Sequence, residues 1–448
     1  MPKDQIKEIM SLTKKDKIAF IDLQFSDFLG NLKNSTIPIY NLEDALNRGV
    51  WIDGSSIEGF ARIHESDMFL MPDPTTYSLL PWRNHIEGGR TARLICDVYK
   101  HNHEPFEGDP RNILKRVLAE AKGMGYEYYA GPECEFFMFP KDEHGNIMFQ
   151  SAGNGSYFNL VVDEAHGIKR EIMAALSDLG IASEVSTYEV ANNQHEIDIR
   201  YDKGLKTADN VVTLKMATKF IAYKYNYHVT FMPKPFYGIN GSGMHTHQSL
   251  WKNGKNAFYD RRDKYGLSQI AYQYLAGQLK YVREITGVFA PTVNSYKRLT
   301  PGYEAPVYAC WARINRSALI RIPKVSKGYE DKATRVEIRC PDPSSNPYLT
   351  LAVLLKSGLE GIKKGMKAPN PVEENLFHFD DEKLAKYYIT KLPASLIEAL
   401  EEIKNGKIVR EVFGEYTWDR YLEAKYAEWD SFRTSVTGWE IDRYLKTV

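Results

Sequence analysis

The chain has 448 residues, of which 43% are hydrophobic, and its 58 lysines and arginines are matched by 58 aspartates and glutamates. This length and apolar content allow two or three domains with sizeable cores and exclude a disordered chain. Because the charges balance, no overall field attracts nucleic acid or an anionic membrane, and we expect neither as a partner.

The cysteines and the apolar runs predict a soluble, cytoplasmic protein. Cys96, Cys134, Cys310 and Cys340 are scattered, with no pair at metal or redox spacing, which is typical of reduced thiols. The segment MPKDQIKEIMSLTKKDK lacks the apolar centre of a signal peptide, and no apolar run approaches the roughly 20 residues of a membrane span.

Residues 1–105 predict a small β-rich domain. An amphipathic helix with Ile6, Ile9 and Met10 leads to the strand KIAFIDLQF, and a turn at FLGN joins this strand to LKNSTIPI as a hairpin. A short helix at NLEDALNRG, a loop at WIDGSSIEGF and a strand at ARLICDVY follow.

Residues 106–448 predict a larger domain in which strands and long helices mix. After a linker at HNHEPFEGDP, Asp109 and Pro110 cap the helix RNILKRVLAEAKGMG. The clearest later helices are TADNVVTLKMATKFIAYKYN, SQIAYQYLAGQLKYVREITG and NPYLTLAVLLKSGLEGIKKG, and the C-terminal segment is helical and rich in Trp and Tyr.

Four predicted strands carry charged or imidazole side chains on one face. In GPECEFFMF, Glu133 and Glu135 share a face because side chains alternate across a strand. The same alternation groups Glu196, Asp198 and Arg200 in HEIDIRY, His245 and His247 in MHTHQSL, and Arg335, Glu337 and Arg339 in RVEIRC. A solvated sheet face explains any single strand, but such faces usually carry Lys, Thr, Ser and Gln.

The adjacent glutamates of the first of these strands indicate a metal site. Two like charges repel unless a cation lies between them. Carboxylates with a single imidazole suit a hard divalent ion such as Mg²⁺ or Mn²⁺, since zinc sites usually carry more His or Cys. Two such ions would keep both Glu133 and Glu135 ionised.

The segment from Lys297 to Arg339 is basic in a chain that is neutral overall. Its arginines stand among prolines, glycines and aromatic residues, where arginine often makes forked contacts to carboxylate or phosphate. Ordinary salt bridging is the alternative. Metals with an arginine clamp are typical of phosphoryl transfer, although the sequence has neither a GxxxxGK[ST] loop nor a kinase signature.

Seven segments resemble the signature motifs of glutamine synthetase, bacterial and archaeal type I, in the family's order. They are DGSSIEGF, GPECEFFMF, NNQHEIDIR, NGSGMHTHQSL, KRLTPGYEAP, NRSALIRIP and RVEIRCPDPSSNPYL. The resemblance implies an α+β fold, with a small N-terminal β-grasp-like domain and a large catalytic domain that has a curved antiparallel sheet surrounded by helices. It also implies ATP-dependent ligation of ammonia to L-glutamate through a γ-glutamyl phosphate.

The resemblance implies roles for individual residues. One divalent cation is expected on Glu135, Glu189 and Glu196, and the other on Glu133, His245 and Glu337. Glutamate is expected on Asn240, Gly241, Arg298 and Arg339. The nucleotide is expected near Glu184, His247, Ser249, Arg316, Arg321, Lys332 and Arg335. Asp53 is the expected base for ammonium, whose pocket is lined by Ser56, Tyr157 and Glu304; Asp53, Glu304 and Arg316 are the expected catalytic residues.

The resemblance further implies an assembly. Asp53 would reach the site of a neighbouring subunit, which implies a closed ring, and type I members stack two rings of six. The C-terminal segment WDSFRTSVTGWEIDRYLKTV is expected to join the rings, the alternative being a helix packed on its own domain.

Two residues bear on the expected regulation. Some members are adenylylated on a tyrosine in a segment like NLFHFD, which Phe377 excludes here. Arg62 matches an arginine that mediates feedback by glutamine, the alternative being a surface arginine, and a PII-type regulator is left open.

Two positions depart from the family's pattern. Tyr188 and Asn193 stand where a histidine and a glycine are usual, and asparagine tolerates the left-handed backbone that a turn requires.

Other activities stay open. A γ-glutamyl-amine or polyamine ligase, a catalytically silent relative and an unrelated metal-dependent kinase are the alternatives. DGSS and Glu304 favour ammonia, and the six retained metal ligands argue against a silent relative.

Overall fold

The computed structural model describes residues 3–57, 67–83, 89–149, 163–303 and 305–448. The N-terminal elements are α1 (Lys3–Lys15), β1 (Ile18–Ser26), β2 (Leu32–Pro38), α2 (Leu42–Arg48), β3 (Val50–Asp53), β4 (Asp67–Pro72), β5 (Ser78–Leu79) and β6 (Arg90–Lys100).

These strands form one sheet in the order β2-β1-β6-β4-β3, with β5 beside β6. The predicted hairpin is confirmed, since β1 pairs antiparallel with β2, while β1 pairs parallel with β6. The prediction of a loop at WIDGSSIEGF is wrong at its start. Val50 and Ile52 are half-buried against the sheet's core, and pairing with β4 draws Val50–Asp53 into a strand.

The remaining elements build the larger part of the chain. They are α3 (Pro110–Gly123), β7 (Glu127–Pro140), α4 (Glu164–Asp178), β8 (Ser183–Tyr188), β9 (Gln194–Ile199), β10 (Asp202–Lys203), α5 (Gly204–Lys224), β11 (Tyr227–Thr230), β12 (Met244–Lys252), β13 (Lys255–Asn256), α6 (Gln269–Phe289), α7 (Ser295–Arg298), β14 (Tyr308–Ala312), β15 (Ala318–Arg321), α8 (Glu330–Ala333), β16 (Val336–Ile338), α9 (Pro347–Lys363), α10 (Asp381–Lys386), α11 (Leu396–Asn405), α12 (Ile408–Phe413), α13 (Glu415–Thr434) and α14 (Gly438–Tyr444). The predicted cap is confirmed: Asp109 accepts a hydrogen bond from the backbone of Arg111, and Pro110 begins α3.

The large sheet follows the order β14-β15-β16-β12-β7-β9-β8, with β10 and β11 beside β7 and β13 beside β12. Among the described strands of this sheet β14 and β15 pair parallel, and the other pairs are antiparallel. Helices surround it. The expected α+β fold, with a small N-terminal sheet and a large, mainly antiparallel one, is confirmed.

The two faces of β7 have opposite environments. Cys134, Phe136 and Met138 are buried in the core that α4 and α5 cover, so Glu133 and Glu135 face the other way, as alternation predicts. Helices α6 and α9 pack behind the sheet at Gly277, where an added Cβ would lie 2.2 Å from the carbonyl oxygen of Ser357. This close approach fixes the distance between the two helices.

The C-terminal helices differ in burial. Helix α13 buries Tyr421 and Leu422, whereas α14 has no buried residue and leaves Trp439 and Ile441 exposed. Packing on its own domain therefore accounts for α13 and not for α14. In the part of the chain that is described, no helix combines the length and the apolar character needed to cross a membrane.

Candidate active site

Strand pairing brings the predicted acidic and basic faces together. Glu133 on β7 lies opposite His245 on β12 and opposite Asp198 on β9, and Glu135 lies opposite Glu196. Across the next pair, Glu337 of β16 faces His247 of β12 and Arg321 of β15. Segments that are up to 204 positions apart in the chain therefore contribute to one surface.

Two cavities open on this surface. The first, called here the tyrosine cavity, has a volume of about 390 Å³, and its lining includes Tyr129, Gly131, Glu133, Glu184, Asp198, Tyr201, His247, Ser249, Lys332 and Arg335. The second, the arginine cavity, has a volume of about 230 Å³ and is lined by Glu133, Glu135, Glu189, Gln194, Glu196, Asn240, Gly241, His245, Arg298, Tyr303, Arg316, Arg321 and Arg339. Glu133 lines both, so the two cavities share a wall.

Glu133 is held by two histidines. His245 Nδ1 lies 3.1 Å from one of its oxygens and His247 Nε2 lies 2.6 Å from the other. Burial opposes ionisation of Glu133, but these hydrogen bonds outweigh it and hold the pKa of the carboxyl well below its usual range. Oxygens of Glu133 and Glu337 and a ring nitrogen of His247 lie within 4.8 Å of one another, a spacing at which three groups can hold one cation.

The hydrogen bonds distinguish the two histidines. Arg335 Nε donates to His247 Nδ1 at 3.0 Å, so the ring proton of His247 is assigned to Nε2, which donates to Glu133. A nitrogen that carries a proton cannot bind a cation. His245 instead faces Glu133 with Nδ1, and its Nε2 lies 3.9 Å from Glu135. The cluster of Glu133, His247 and Glu337 would therefore need His247 to lose or move this proton before it could hold a cation, and His245 stays the predicted ligand.

Carboxylates of β7 and β9 cluster beside the wall that the two cavities share. Burial and the neighbouring carboxylates of Asp198 and Glu135 raise the pKa of Glu196 to about 10. Burial and the charge of Glu133 raise the pKa of Asp198 to about 7. A raised carboxyl pKa means that the described protein groups supply too little positive charge nearby to keep all of these carboxylates ionised. A hard divalent cation, which prefers oxygen donors, would supply that charge.

Glu337 is fully buried between two arginines. Its oxygens lie 2.5 Å from Arg321 Nε and 2.6 Å from Arg339 Nη1. Burial alone would raise the pKa of Glu337, but the positive charge around it, including that of Arg339, outweighs burial and lowers this pKa. Arg298, also buried, donates to the main-chain carbonyl oxygens of Arg339, Cys340 and Pro341, and it thereby fixes the chain that follows β16.

Some predicted residues lie elsewhere. Asp53 ends β3 in the N-terminal sheet, where its carboxylate accepts hydrogen bonds from Ser55, and it lines neither cavity of its own chain. Ser56 follows in a short 3₁₀ turn, Gly54–Ser56. Arg62, Tyr157 and Glu304 lie outside the described residues.

Other residues line the cavities without having been assigned a role. Asp198 and Gln194 lie on the same face of β9 as Glu196; the alternation that singled out Glu196 also singled out Asp198, and it could have found Gln194. Tyr129 alternates with Gly131 and Glu133 in the same way. Tyr201 and Tyr303 stand outside strands, and no pattern in the sequence marks them.

The two departures from the family's motif have local explanations. Asn193 has φ of 61°, so the expected left-handed turn is confirmed. The hydroxyl of Tyr188 donates to Asp163 at 2.5 Å, and Lys169 Nζ lies 3.6 Å from the centre of its ring. Tyr188 is therefore packed and hydrogen-bonded beside Glu189.

His195 predicts a specific acid sensitivity. It is buried between Phe136 and Tyr188, neither ring nitrogen has a hydrogen-bond partner among the described residues, and burial lowers its pKa from 6.5 to about 3. Between these values only the unfolded state binds the proton, so this histidine lowers stability as pH falls, by about 2 kcal/mol at pH 5.

We therefore expect His195→Phe to lose less stability than the wild type when the pH is lowered from 7.5 to 5, as measured by denaturant unfolding at fixed protein concentration. His144, whose side chain is 76% exposed, provides the control, since His144→Phe should keep the wild-type pH dependence. An unchanged pH dependence in His195→Phe would contradict the assignment of a neutral buried imidazole.

Comparisons with known proteins agree with this architecture. The model of the glutamine synthetase β-grasp domain matches residues 17–101, and that of the glutamine synthetase catalytic domain matches residues 107–444. The chain is 48% identical to glutamine synthetase from Clostridium saccharobutylicum over 99% of both chains, and 47% identical to that from Thermotoga maritima over 98% of this chain and 99% of the relative.

Solved structures give the same result. A structure described as a GmaS/ADP complex superposes with a TM-score of 0.87 at 29% identity, covering 98% of this chain and 99% of the other. Glutamine synthetase from Plasmodium falciparum, solved by cryo-electron microscopy, superposes with a TM-score of 0.86 at 25% identity, covering 98% of each chain. The fold and the site define a two-domain enzyme with a β-grasp domain beside a catalytic sheet. The chain belongs to the glutamine synthetase family.

Proposed function

We propose that the tyrosine cavity binds ATP, that the arginine cavity binds L-glutamate, and that two divalent cations, Mg²⁺ or Mn²⁺, lie between them. The chain is an ATP-dependent glutamate–ammonia ligase, which forms L-glutamine, ADP and phosphate. The single observation that carries the site proposal is that Glu133 lines both cavities. Ligands on either side of one side chain are close enough for direct transfer of a phosphoryl group.

The cations are assigned to two sets of ligands: Glu135, Glu189 and Glu196, and Glu133, His245 and Glu337. The excess of carboxylates around Glu196 and the unprotonated state of Glu133 support this assignment. When bound, divalent cations neutralise phosphate charge and polarise the phosphoryl group.

The first half of the reaction activates glutamate. A carboxylate does not accept ammonia directly, because oxide is a very poor leaving group, so ATP first phosphorylates the γ-carboxylate to an acyl phosphate. Arg316 and Arg321, which line the arginine cavity, and Arg335 neutralise the phosphates. Glutamate is assigned to Asn240, Gly241, Arg298 and Arg339, and the nucleotide to Glu184, His247, Ser249 and Lys332.

The second half of the reaction makes the amide. Ammonium must lose a proton before it can attack the carbonyl carbon, and phosphate then leaves. We assign the proton acceptor to Asp53 of a neighbouring subunit, with Ser56, Tyr157 and Glu304 around the ammonium. The position of Asp53 outside the cavities of its own chain supports a site completed across a subunit interface. Glu304, in the segment PGYEAP, is assigned to a flap that shields the acyl phosphate from water.

The proposed assembly is a dodecamer of two stacked hexameric rings. The apolar side chains that α14 exposes, Trp439 and Ile441, support a subunit contact at the C-terminus. We propose feedback by glutamine through Arg62, which lies outside the described residues, and we leave open control by a PII-type protein. All four cysteines are free thiols, which supports a place in the cytoplasm.

The activity is tested by following ATP-dependent phosphate release with glutamate and ammonium, methylamine, putrescine or no amine. We expect release to depend on ammonium, with the two amines giving little product, and glutamine to form in equal amount. Preference for methylamine or putrescine would make the chain a γ-glutamyl-amine ligase. Release that needs no amine would contradict the proposed ligation.

A further inference from the structure

The loop between β14 and β15 carries Arg316. Hydrogen bonds from another segment of the chain hold this loop in position. Arg316 lines the arginine cavity, yet within the described part of the chain its guanidinium makes no hydrogen bond or ion pair that would fix it. The neighbouring Ile314 is 70% exposed, so packing does not hold the loop either. The direction of Arg316 therefore depends on how the loop backbone is held.

Glu373 holds that backbone. Its carboxylate accepts three successive backbone N–H groups, from Arg313 at 2.8 Å, Ile314 at 2.9 Å and Asn315 at 3.3 Å. A carboxylate on several N–H groups makes charge-assisted bonds, which are roughly twice as strong as neutral ones. The three amides immediately before Arg316 are thus fixed by one side chain that lies 58 to 60 positions further along the chain.

Residues 372–376 also form hydrogen bonds with the loop residues on either side of Arg316. Asn315 Nδ2 donates to the carbonyl oxygens of Val372 at 3.1 Å and Glu374 at 2.5 Å. The backbone N–H of Leu376 donates to Ser317 Oγ at 3.2 Å. Arg316 consequently lies between two residues, Asn315 and Ser317, that are both bound to residues 372–376.

We propose that Glu373 is a positioning residue for Arg316: by holding the amides of Arg313, Ile314 and Asn315 it directs the Arg316 guanidinium into the arginine cavity. This inference rests on the proposed function, in which Arg316 neutralises the transferred phosphate. A charged group displaced by about 1 Å costs up to about 100-fold in rate, and the loss appears in kcat when the contact is made in the transition state.

A double-mutant cycle tests the proposal. Glu373→Ala should lower kcat by about 10- to 100-fold with the KM for glutamate changed less than about twofold, and Glu373→Gln, which keeps one acceptor oxygen, should lie between it and the wild type. In the Arg316→Ala background, Glu373→Ala should change kcat less than about twofold, since its effect passes through Arg316. Equal losses in both backgrounds, or no loss in the wild-type background, would overturn the proposal.

Glu374→Ala is the matched control. The Glu374 side chain pairs with Lys383 at 2.6 Å and Tyr387 at 3.0 Å and leaves the loop amides alone, so this variant should keep wild-type kinetics. Amide hydrogen exchange gives a second readout if Arg316→Ala is too slow to assay. The amides of residues 313–315 should exchange faster in Glu373→Ala and not in Glu374→Ala; unchanged exchange there overturns the proposal. Full activity of Arg316→Ala alone would instead reject the proposed role of Arg316.

Discussion

Glu133→Gln is expected to lower kcat about 1000-fold while the chain stays folded. The substitution keeps the side chain's size and removes the charge that lies at the shared wall of the two cavities. A metal ligand and its cation contribute several kcal/mol to stabilising phosphoryl charge, and about 4 kcal/mol corresponds to this factor. The hydrogen bonds of His245 and His247 to this carboxylate are weakened when its charge is removed, so some stability should be lost while the fold is kept. Steady-state phosphate release and a thermal unfolding scan measure the two effects.

Glu127→Gln provides a control on the same strand and the same face. Glu127 pairs with Lys203 at 3.0 Å, its side chain is 53% exposed, and it borders neither cavity. The substitution removes the same charge from β7 and should leave kcat within about twofold, because an exposed ion pair contributes little. A Glu133→Gln enzyme with wild-type turnover, or one as impaired as Glu127→Gln, would reject the metal assignment of Glu133.

The alternation of side chains made the acidic face predictable. Glu133, Glu135 and Glu196 are placed by strand geometry alone, since a period of two fixes which side of the sheet a residue faces. The unusual composition of these faces then indicated cations before any pairing of strands was known. The pairing itself, which puts Glu133 opposite His245 and Asp198, is set by the fold of distant segments and could not be predicted from one strand.

Other parts of the site cannot be predicted from the residues next to them in the sequence. The division of roles between His245 and His247 depends on Arg335, whose side chain reaches His247 from 88 positions away. Glu373 acts on backbone N–H groups, which every residue except proline carries, so no residue pattern marks its partners.

The loop expected at WIDGSSIEGF begins as a strand for a related reason. A four-residue strand such as Val50–Asp53 is too short for alternation to separate it from a turn, and its pairing with β4 decides its conformation. Local pattern thus placed the long central strands correctly and failed at the short edge strand.

Of the variants considered, Arg111→Met is expected to lose the most folding stability, about 3–5 kcal/mol. Arg111 of α3 is almost fully buried between the two sheets' domains and pairs with Asp73 at 2.8 Å, Asp97 at 2.8 Å and Asp209 at 3.0 Å. Burial raises the pKa of Asp73, and the Arg111 charge outweighs it, so this pKa lies below its ordinary value. Without the guanidinium, three buried carboxylates remain with less neutralising charge. Denaturant unfolding at fixed protein concentration measures the loss.

The deficit of Arg111→Met should shrink as the pH is lowered from 8 to 5. In the variant, burial raises the pKa of these carboxylates and no arginine charge opposes it. The folded variant therefore binds protons more readily than its unfolded chain does, so its stability falls as pH rises. Lys115→Met is the control: Lys115 pairs with the same Asp97 at 2.5 Å, but its side chain is 34% exposed, and its loss should stay below about 1 kcal/mol. Equal losses in the two variants would mean that the carboxylates are solvated, and that Arg111 does not join the β-grasp domain to the catalytic domain through buried charge.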